Sequence, residues 1–438
     1  MLLGVDDTDA PSGGCTTHVL TELVALARDQ GLDVLGEPRL VRLNPNVPWK
    51  TRGNAALSVA LGHGRGEFRR IGSIHGRPVL AFGRGSSPSG PELAEFRESA
   101  WKRVLDLSPP SERSDPALVV ARHRLPDRLY VAAVTTVVAP RDVEEALRSV
   151  GGAWWRTHGA NRGIVGAAAA AAWPGRRRTW ELIAYRRPGA SGPRDIDAES
   201  VRAAARREPA LFLCHDPRTR RLMVAPHTPC PILFGLRSRT PEGALRAREW
   251  IRSEPVDRWL LFRTNQGTGD HLRGGAADVS LPFTPGRLRG LVTSEPETLR
   301  GGHVALSLTV GAGHIVACRV FEPTKVLPGV ARALRPGDSV ELWGGTGPDP
   351  VFRVEGIRLL RHAGPSLRSI APRCPSCRRR TRSLGTARGF RCPGCRRRWP
   401  PEAAARPPRS SPLALGTYHP TPSARRHLAP LGPEPRPE

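Results

Sequence analysis

Cys374-Pro-Ser-Cys377 and Cys392-Pro-Gly-Cys395, with fourteen residues between them, set four soft sulfur ligands on two tight knuckles. That is the spacing of a tetrahedral thiolate zinc site. Four thiolates leave no open coordination position, so the implied zinc is structural and the segment 370–400 reads as a zinc ribbon. The other four cysteines, Cys15, Cys214, Cys230 and Cys318, are scattered singly. They suggest a reducing cytoplasm, not a disulfide framework. Cys230 is expected to be a buried small apolar residue and not a nucleophile. Arg378, Arg380 and Arg397 are threaded through the knuckles with Phe390 and Trp399 beside them. Cationic forks next to stacking faces suit RNA or DNA contact, and a merely solvated Arg face is the bland alternative.

A second group is acidic. Asp6, Asp7 and Asp9 follow the apolar run Leu2–Val5 and lead into Pro11-Ser12-Gly13-Gly14-Cys15-Thr16-Thr17. Carboxylates leaving the C-terminal end of a strand lie where α/β sheets place ligands. Two of them ~4 Å apart repel by ~4 kcal/mol at an effective dielectric near 20, which favours a divalent cation or a shared proton. Magnesium with a nucleotide fits, because it takes few carboxylates and completes its shell with phosphate oxygens and water. Gly13 and Gly14 let the backbone approach phosphate, and a helix opening near Thr16 and Thr17 points its N-terminus at the anion. An acidic turn followed by an ordinary threonine cap is the competing reading. No Walker A pattern breaks the tie.

Two polar loops supply further candidates. In the stretch 43–54, Lys50, Arg52 and Asn54 offer a mobile charge, a fork and an amide for a nucleotide, against the alternative of a salt-bridged surface loop. In the stretch 262–271, Arg263, Asn265 and Gln266 follow a strand and are candidate RNA contacts.

Elements must hold these residues in place. Leu2–Val5 reads as a buried strand, 17–31 as a helix stopped by Gly31, and 38–45 as a second strand, an α/β beginning. Further along come a helix over 93–107, a strand over 129–139, a helix from Pro140, an Ala-rich helix over 163–172 and a strand over 179–186, an order compatible with a ferredoxin-like sandwich. A strand is also expected over 221–226. Between 300 and 362 short alternating strands suit a five-stranded OB barrel, an SH3-like barrel or a plain β-sandwich. The resulting class is α/β and α+β multidomain: 1–125, 126–240 (ferredoxin-like), a connecting segment 241–276 returning to the core, 277–365 (OB-fold), the ribbon, and a Pro/Arg-rich tail, 401–438, expected to be disordered.

The 438 residues carry 67 Lys+Arg against 40 Asp+Glu, a net +27. That field favours a polyanion, and nucleic acid is the first candidate. All but three of the bases are Arg, a bias that a GC-rich coding sequence would also produce without selection for binding. No apolar run approaches the ~18 residues of a bilayer crossing, and the opening MLLGVDD turns acidic too soon for a secretory leader. No membrane, no obligate protein partner and a cytoplasmic location are expected.

Taken in order, the blocks GVDDTD with SGGCTTH, PRLVRLNPNVPWKTRGNAAL, GANRGIVGA, ELIAYR, APHTPCPILFGLRS and FRTNQGTGDHL resemble the TiaS family of archaeal isoleucine-tRNA agmatinylcytidine synthetases. The resemblance implies a kinase-like first domain ahead of the ferredoxin-like, OB and ribbon modules. It also implies a reaction in which ATP phosphorylates the 2-carbonyl oxygen of the wobble cytidine in the CAU anticodon and agmatine displaces the phosphate. By motif, Asp6, Asp7 and Asp9 match the family's metal and phosphate carboxylates, and Thr16 its autophosphorylated threonine. Lys50, Arg52 and Asn54 fall in the block assigned to nucleotide. Asp216 is a guess for the guanidinium of agmatine. Ala10 and Gly269 stand where the family has a serine and an acid. A non-catalytic OB-fold and zinc-ribbon RNA- or DNA-binding protein is the alternative.

Overall fold

Leu3 and Val5 are fully buried, and Gly4 between them is narrow enough for a helix to lie against it. The strand Leu2–Asp6 therefore runs through the interior of a ten-stranded sheet. The computed structural model describes residues 1–432 apart from 52, 109–113, 364–365, 368–370, 386–387, 404–407 and 410. Along the main path of the sheet the strands are Ile232–Ser238, Thr179–Arg186, Val256–Thr264, Arg39–Arg42, Ala55–Ile74, Leu2–Asp6, Ala117–Ala121 and Ala153–Thr157. The sheet thus takes strands from all three segments expected between 1 and 276. Its seam is a short parallel contact, Arg263 and Thr264 beside Arg39 and Leu40.

Period-two alternation sorts the sheet into two cores. Leu118 and Val120 point into one, with the helices Thr16–Asp29 and Gly90–Leu107; Ala117, Val119 and Ala121 point into the other, with the Ala-rich helix Gly163–Ala172. A capping box between Ser89 and Glu92 starts Gly90–Leu107. The strand expected over 129–139 is instead a helix, Asp127–Thr135. Tyr130, Ala133, Val134 and Thr135 are its buried positions, and the three- and four-residue spacing of Ala133 and Val134 from Tyr130 outweighs the β-branched composition. Of the strand expected over 221–226, Arg221–Leu222 alone pairs, with His215–Asp216. The Gly- and Arg-rich stretch after residue 62 forms a long hairpin of Ala55–Ile74 and Arg77–Ser86.

Further along, Pro285–Val292 pairs with both Val304–Val310 and Ser339–Gly345, which closes a five-stranded barrel. One parallel pair, His314–Val320 with Phe352–Arg361, and a helix, Leu327–Ala333, between the third and fourth barrel strands identify the OB topology among the three open alternatives. The ribbon has three two-residue strands, Arg382–Ser383, Phe390–Arg391 and Arg398–Trp399. Among the described residues no helix is long and apolar enough to cross a membrane.

The tail expected to be disordered is ordered over 411–432. Gly416–Tyr418 adds a strand to the barrel. Beyond it the chain crosses to the large sheet, where Gly267 N–H donates to the His427 carbonyl (2.8 Å), Gly269 N–H to that of Leu428 (2.9 Å), and Leu431 N–H to that of Gly267 (3.0 Å). Leu428 and Ala429 are buried there. With few core-forming side chains of its own, the segment is held by backbone hydrogen bonds and by polar groups of other modules. Within the tail, 404–407, 410 and 433–438 lie outside the described residues.

Asp216, offered above for agmatine, is one of those holding groups. It is buried; its Oδ1 accepts from Arg218 N–H (3.0 Å) and its Oδ2 from the N–H (3.2 Å) and hydroxyl (2.5 Å) of Ser423. Burial works to raise this carboxyl, but Ser423 and the backbone donors outweigh it and hold it below the usual range. Its contribution is therefore complete above the unfolded pKa of ~3.9 and is lost as pH falls through the lower folded value. Asp216→Ala is expected to cost ~1–3 kcal/mol in urea unfolding at pH 7 and to expose 411–432 to protease. The gap from the parent should narrow on acidification below about pH 4. Equal stability at pH 7 would contradict this anchoring.

Candidate active site

Asp6 ends the first strand and Asp7 turns the chain at φ 55°, a left-handed conformation that Asp tolerates better than most residues. The space for Asp6 exists because residue 166 is glycine: a Cβ there would stand 1.7 Å from Asp6 Oδ2. Likewise a Cβ on Gly4 would stand 2.0 Å from the Ala167 carbonyl oxygen. Asp115, buried, accepts from the N–H groups of Asn161 (3.1 Å) and Arg162 (2.8 Å) ahead of this helix, and its own N–H donates to the Asp7 carbonyl (3.2 Å). Asp9 and Ala10 pair with Gly14 and Gly13 in a minute hairpin that sets down the helix Thr16–Asp29.

These pieces meet at a cavity of about 860 Å³. Asp6, Asp7, Asp9, Thr16, Thr17, Lys50 and Asn54 line it, so seven of the sequence candidates converge. Burial, then Asp7 and Asp9, push the Asp6 carboxyl well above its ordinary range. Burial, then Asp115 and Asp9, push Asp7 up to about 7 against the opposing Arg162. Carboxyls in this state bind a proton or a cation far more readily than isolated ones. Lys50 donates to the Val47 carbonyl (2.9 Å), and burial together with Arg426 lowers its pKa.

The other candidates have different places. Gly13 lines an adjoining groove of about 1130 Å³ with His18 and Glu22, and Gly14 takes φ 75° beside it. Arg52 lies outside the described residues. The Asn54 amide donates to the Asn44 carbonyl (2.7 Å), closing its own loop. Arg263 is half-buried and 3.9 Å from Glu37. Asn265 and Gln266, expected to meet RNA, are buried. Asn265 bridges the Arg42 N–H (2.7 Å) and carbonyl (2.9 Å) and donates to the Tyr130 hydroxyl (2.8 Å); Gln266 donates to Glu181 and meets His427 Nδ1 at 3.1 Å. A strand end facing inward spends its polar groups on other strands. Cys230 is half-buried on the cavity wall, with Arg194 3.4 Å from its sulfur.

The sequence reading missed four further lining residues: Arg42, Glu181, Arg237 and His427. Burial lowers Arg42 to about 10, Glu181 opposing. His427 is driven well below its usual pKa first by Arg42 and then by burial, so it stands there as neutral imidazole. The blocks containing Arg42, Glu181 and Arg237 were visible, but nothing in spacing marks a charged residue inside a strand as cavity-facing.

In the ribbon, all four sulfurs lie within 4.8 Å of one another. Cys374 and Cys395 are 3.3 Å apart, Cys377 and Cys392 3.2 Å, near the ~3.8 Å that tetrahedral Zn–S bonds of ~2.3 Å impose. The knuckles repeat one geometry: Arg378 and Arg396 take φ 56° and 60° and donate to the carbonyls of Cys374 and Cys392. The four residues fit zinc. Arg378, Arg380 and Arg397 are exposed around it, and Phe390 faces Trp399 across two strands.

Comparison with known proteins agrees with this architecture. Residues 2–158 match the TiaS TCKD domain, 161–271 the TiaS FLD domain and 371–410 the TiaS C-terminal zinc ribbon domain. An isoleucine-tRNA 2-agmatinylcytidine synthetase TiaS of Archaeoglobus fulgidus is 34% identical over 437 residues, covering 98% of this chain and 96% of that protein. One from Thermofilum pendens is 35% identical over 443 residues, covering 97% and 93%. A crystal structure of TiaS with isoleucine tRNA and ATP has a TM-score of 0.80 at 31% identity, covering 98% of this chain and 95% of that one. A complex of TiaS with the tRNA, AMPCPP and agmatine has 0.78 at 28%, covering 98% and 96%.

Two outcomes follow from the site itself. Because Asp7 is raised, its contribution to stability is complete below ~3.9 and is lost as pH rises through about 7. Ligand-free Asp7→Asn should therefore melt at a higher temperature than the parent at pH 8 and close to it at pH 4 in calorimetry. Elemental analysis should find one zinc per chain, and Cys392→Ser should reduce it to none.

Proposed function

The chain belongs to the TiaS family, and we propose that it is an ATP-dependent ligase joining agmatine to the 2-carbon of the wobble cytidine of the isoleucine tRNA with a CAU anticodon. The product, 2-agmatinylcytidine, would decode AUA, and the work would be done in the cytoplasm. The observation that carries this reading is the convergence of three carboxylates, a helix N-terminus and Lys50 on one cavity within a chain of net charge +27. Acidic groups that a basic protein keeps together, with two carboxyls raised, suit the cation and phosphates of a nucleotide.

A carbonyl oxygen is a poor leaving group until phosphorylated. Transfer of a phosphoryl group from ATP to the 2-carbonyl oxygen makes it one. Agmatine's primary amine then forms the C–N bond as the C–O bond breaks and phosphate departs. Asp6, Asp7 and Asp9 would hold magnesium, which when bound offsets phosphate charge. Gly13, in the adjoining groove, and Gly14 would let the backbone approach a phosphate, and Thr16 and Thr17 present the first turn of a helix whose dipole favours anions. Thr16 stands where the family has its autophosphorylated threonine and faces the cavity. The barrel and the Arg-studded ribbon would hold the tRNA by its phosphates and unstacked bases. The alternative of a purely binding protein is disfavoured, because relatives matching nearly the whole chain are named synthetases.

Purified protein given ATP, magnesium, agmatine and the cognate tRNA should add one agmatine to one cytidine, read by mass spectrometry of the tRNA. Asp7→Asn should abolish the addition while tRNA affinity holds or rises. Gly166→Ala, which drives a methyl into Asp6, should also reduce product by tenfold or more at unchanged tRNA affinity. No mass gain with the parent protein would refute the proposal.

A further inference from the structure

Trp49 is 47% exposed, yet it is not on a loose loop. The buried Asn44 donates from Nδ2 to the carbonyls of Thr136 (3.0 Å) and Phe283 (2.9 Å), and its Oδ1 accepts from Asn46 N–H (2.9 Å). Asn54 and Lys50 tie the same loop as described above. A large apolar ring is thus held in solvent by a rigid support, at the wall of the catalytic cavity. Facing it is Phe283, from the segment that enters the barrel, with ring centroids 6.5 Å apart and planes at 65°. Phe283 takes φ 56°, a left-handed conformation that costs a bulky residue energy and is retained here by the Asn44 bond and by its N–H to the Gly347 carbonyl (3.3 Å). In an edge-to-face pair one ring presents its edge, so its own faces stay uncovered for a third ring. Val137, 42% exposed, continues the apolar surface along the same cavity.

A base drawn out of its stack needs a π-face to replace the neighbours it has lost. We propose that Trp49, backed by Phe283, is a stacking lip for a base of the tRNA anticodon loop that enters beside the reacting cytidine. The inference rests on the ligase reading, and it names a substrate contact that the phosphate chemistry does not require. It also explains why two modules each fix an aromatic side chain at their junction.

The test uses the full chain and a tRNA with 2-aminopurine replacing the anticodon nucleotide next to the wobble cytidine. With the parent protein, 2-aminopurine fluorescence should quench on binding. Trp49→Phe should keep the quenching and stay within a few-fold of the parent KM for tRNA. Trp49→Ala and Trp49→Leu should lose the quenching and raise that KM by about 5- to 150-fold, the effect of one lost stack, with KM for ATP unchanged. The idea is overturned if Trp49→Leu behaves as Trp49→Phe does, or if Trp49→Ala leaves quenching and KM as they were. Failure of the parent protein to modify the tRNA would be a different result, since it defeats the ligase reading, whereas the variant comparison in an active parent judges the lip alone.

Discussion

The active cavity depends on how closely one helix approaches one strand. Along Gly163–Ala172 the residues 167–172 are all alanine and all buried, so the helix presents methyl groups and backbone to its neighbours. Any larger side chain at residue 4 or 166 would push it away from the first strand or displace Asp6. Ser58 Oγ donates to the Ala170 carbonyl (2.8 Å), and Arg39 reaches the carbonyls of Ala171 (3.3 Å) and Trp173 (3.2 Å) at the helix's end. The poly-alanine run favours the helix intrinsically, and its thinness lets a sheet carry a carboxylate directly beneath it. Without that approach the aspartates would fan out into solvent with ordinary pKa values.

Charge is distributed to match. A chain of +27 would be expected to surround any acidic group with arginine, and elsewhere it does: Glu22 meets Arg103 and the buried Arg258, and Glu254 meets Arg186. At Asp6 the largest influences are burial and the neighbouring aspartates, with no cation among them, and at Asp7 the opposing influence is Arg162, itself 3.3 Å from Asp115. Arg42 and Arg237, which share Glu181, also line the cavity, as do Lys50 and Arg162. A cavity that holds both raised carboxyls and arginines can clasp a phosphate with its counter-cation.

Part of this was legible in the sequence because its cause is local. Zinc ligation requires cysteines at a fixed spacing, so the ribbon could be read from four letters, and strand–Asp–Gly-rich turn–helix is a short-range pattern. The barrel strands also showed, since alternation is a two-residue period. What was hidden depends on distant partners. Tyr130 sits in a β-branched run, yet its hydroxyl donates to the buried Asp270 (2.6 Å), and the segment coils to bring it there. Asn265 and Gln266 look like ligands for RNA in any list of donors; which way a strand end faces is decided by the sheet. The residues 411–432 are poor in apolar side chains, and their order comes from partners more than a hundred residues away, such as Asp216 and Pro45.

Those same partners make the modules one mechanical unit. Arg426 donates from Nη1 to the Pro45 carbonyl (2.5 Å) and pairs through Nε with Glu355 of the barrel (2.7 Å). Asn44 joins the same loop to Phe283 at the barrel's entrance. The loop that carries Trp49 and Lys50 into the cavity is therefore fixed from two sides by the barrel and the returning tail, while His427, one residue on from Arg426, also lines the cavity. Burial raises the Glu355 carboxyl, with Arg426 and Lys50 opposing, so this junction already balances charge between the barrel and the cavity. A tRNA gripped by barrel and ribbon would pull on contacts that end at the reacting groups. Asn44, Asn54, Asn265 and Gln266 spend their polar groups on internal bonds, and that linkage is what the fold requires of them.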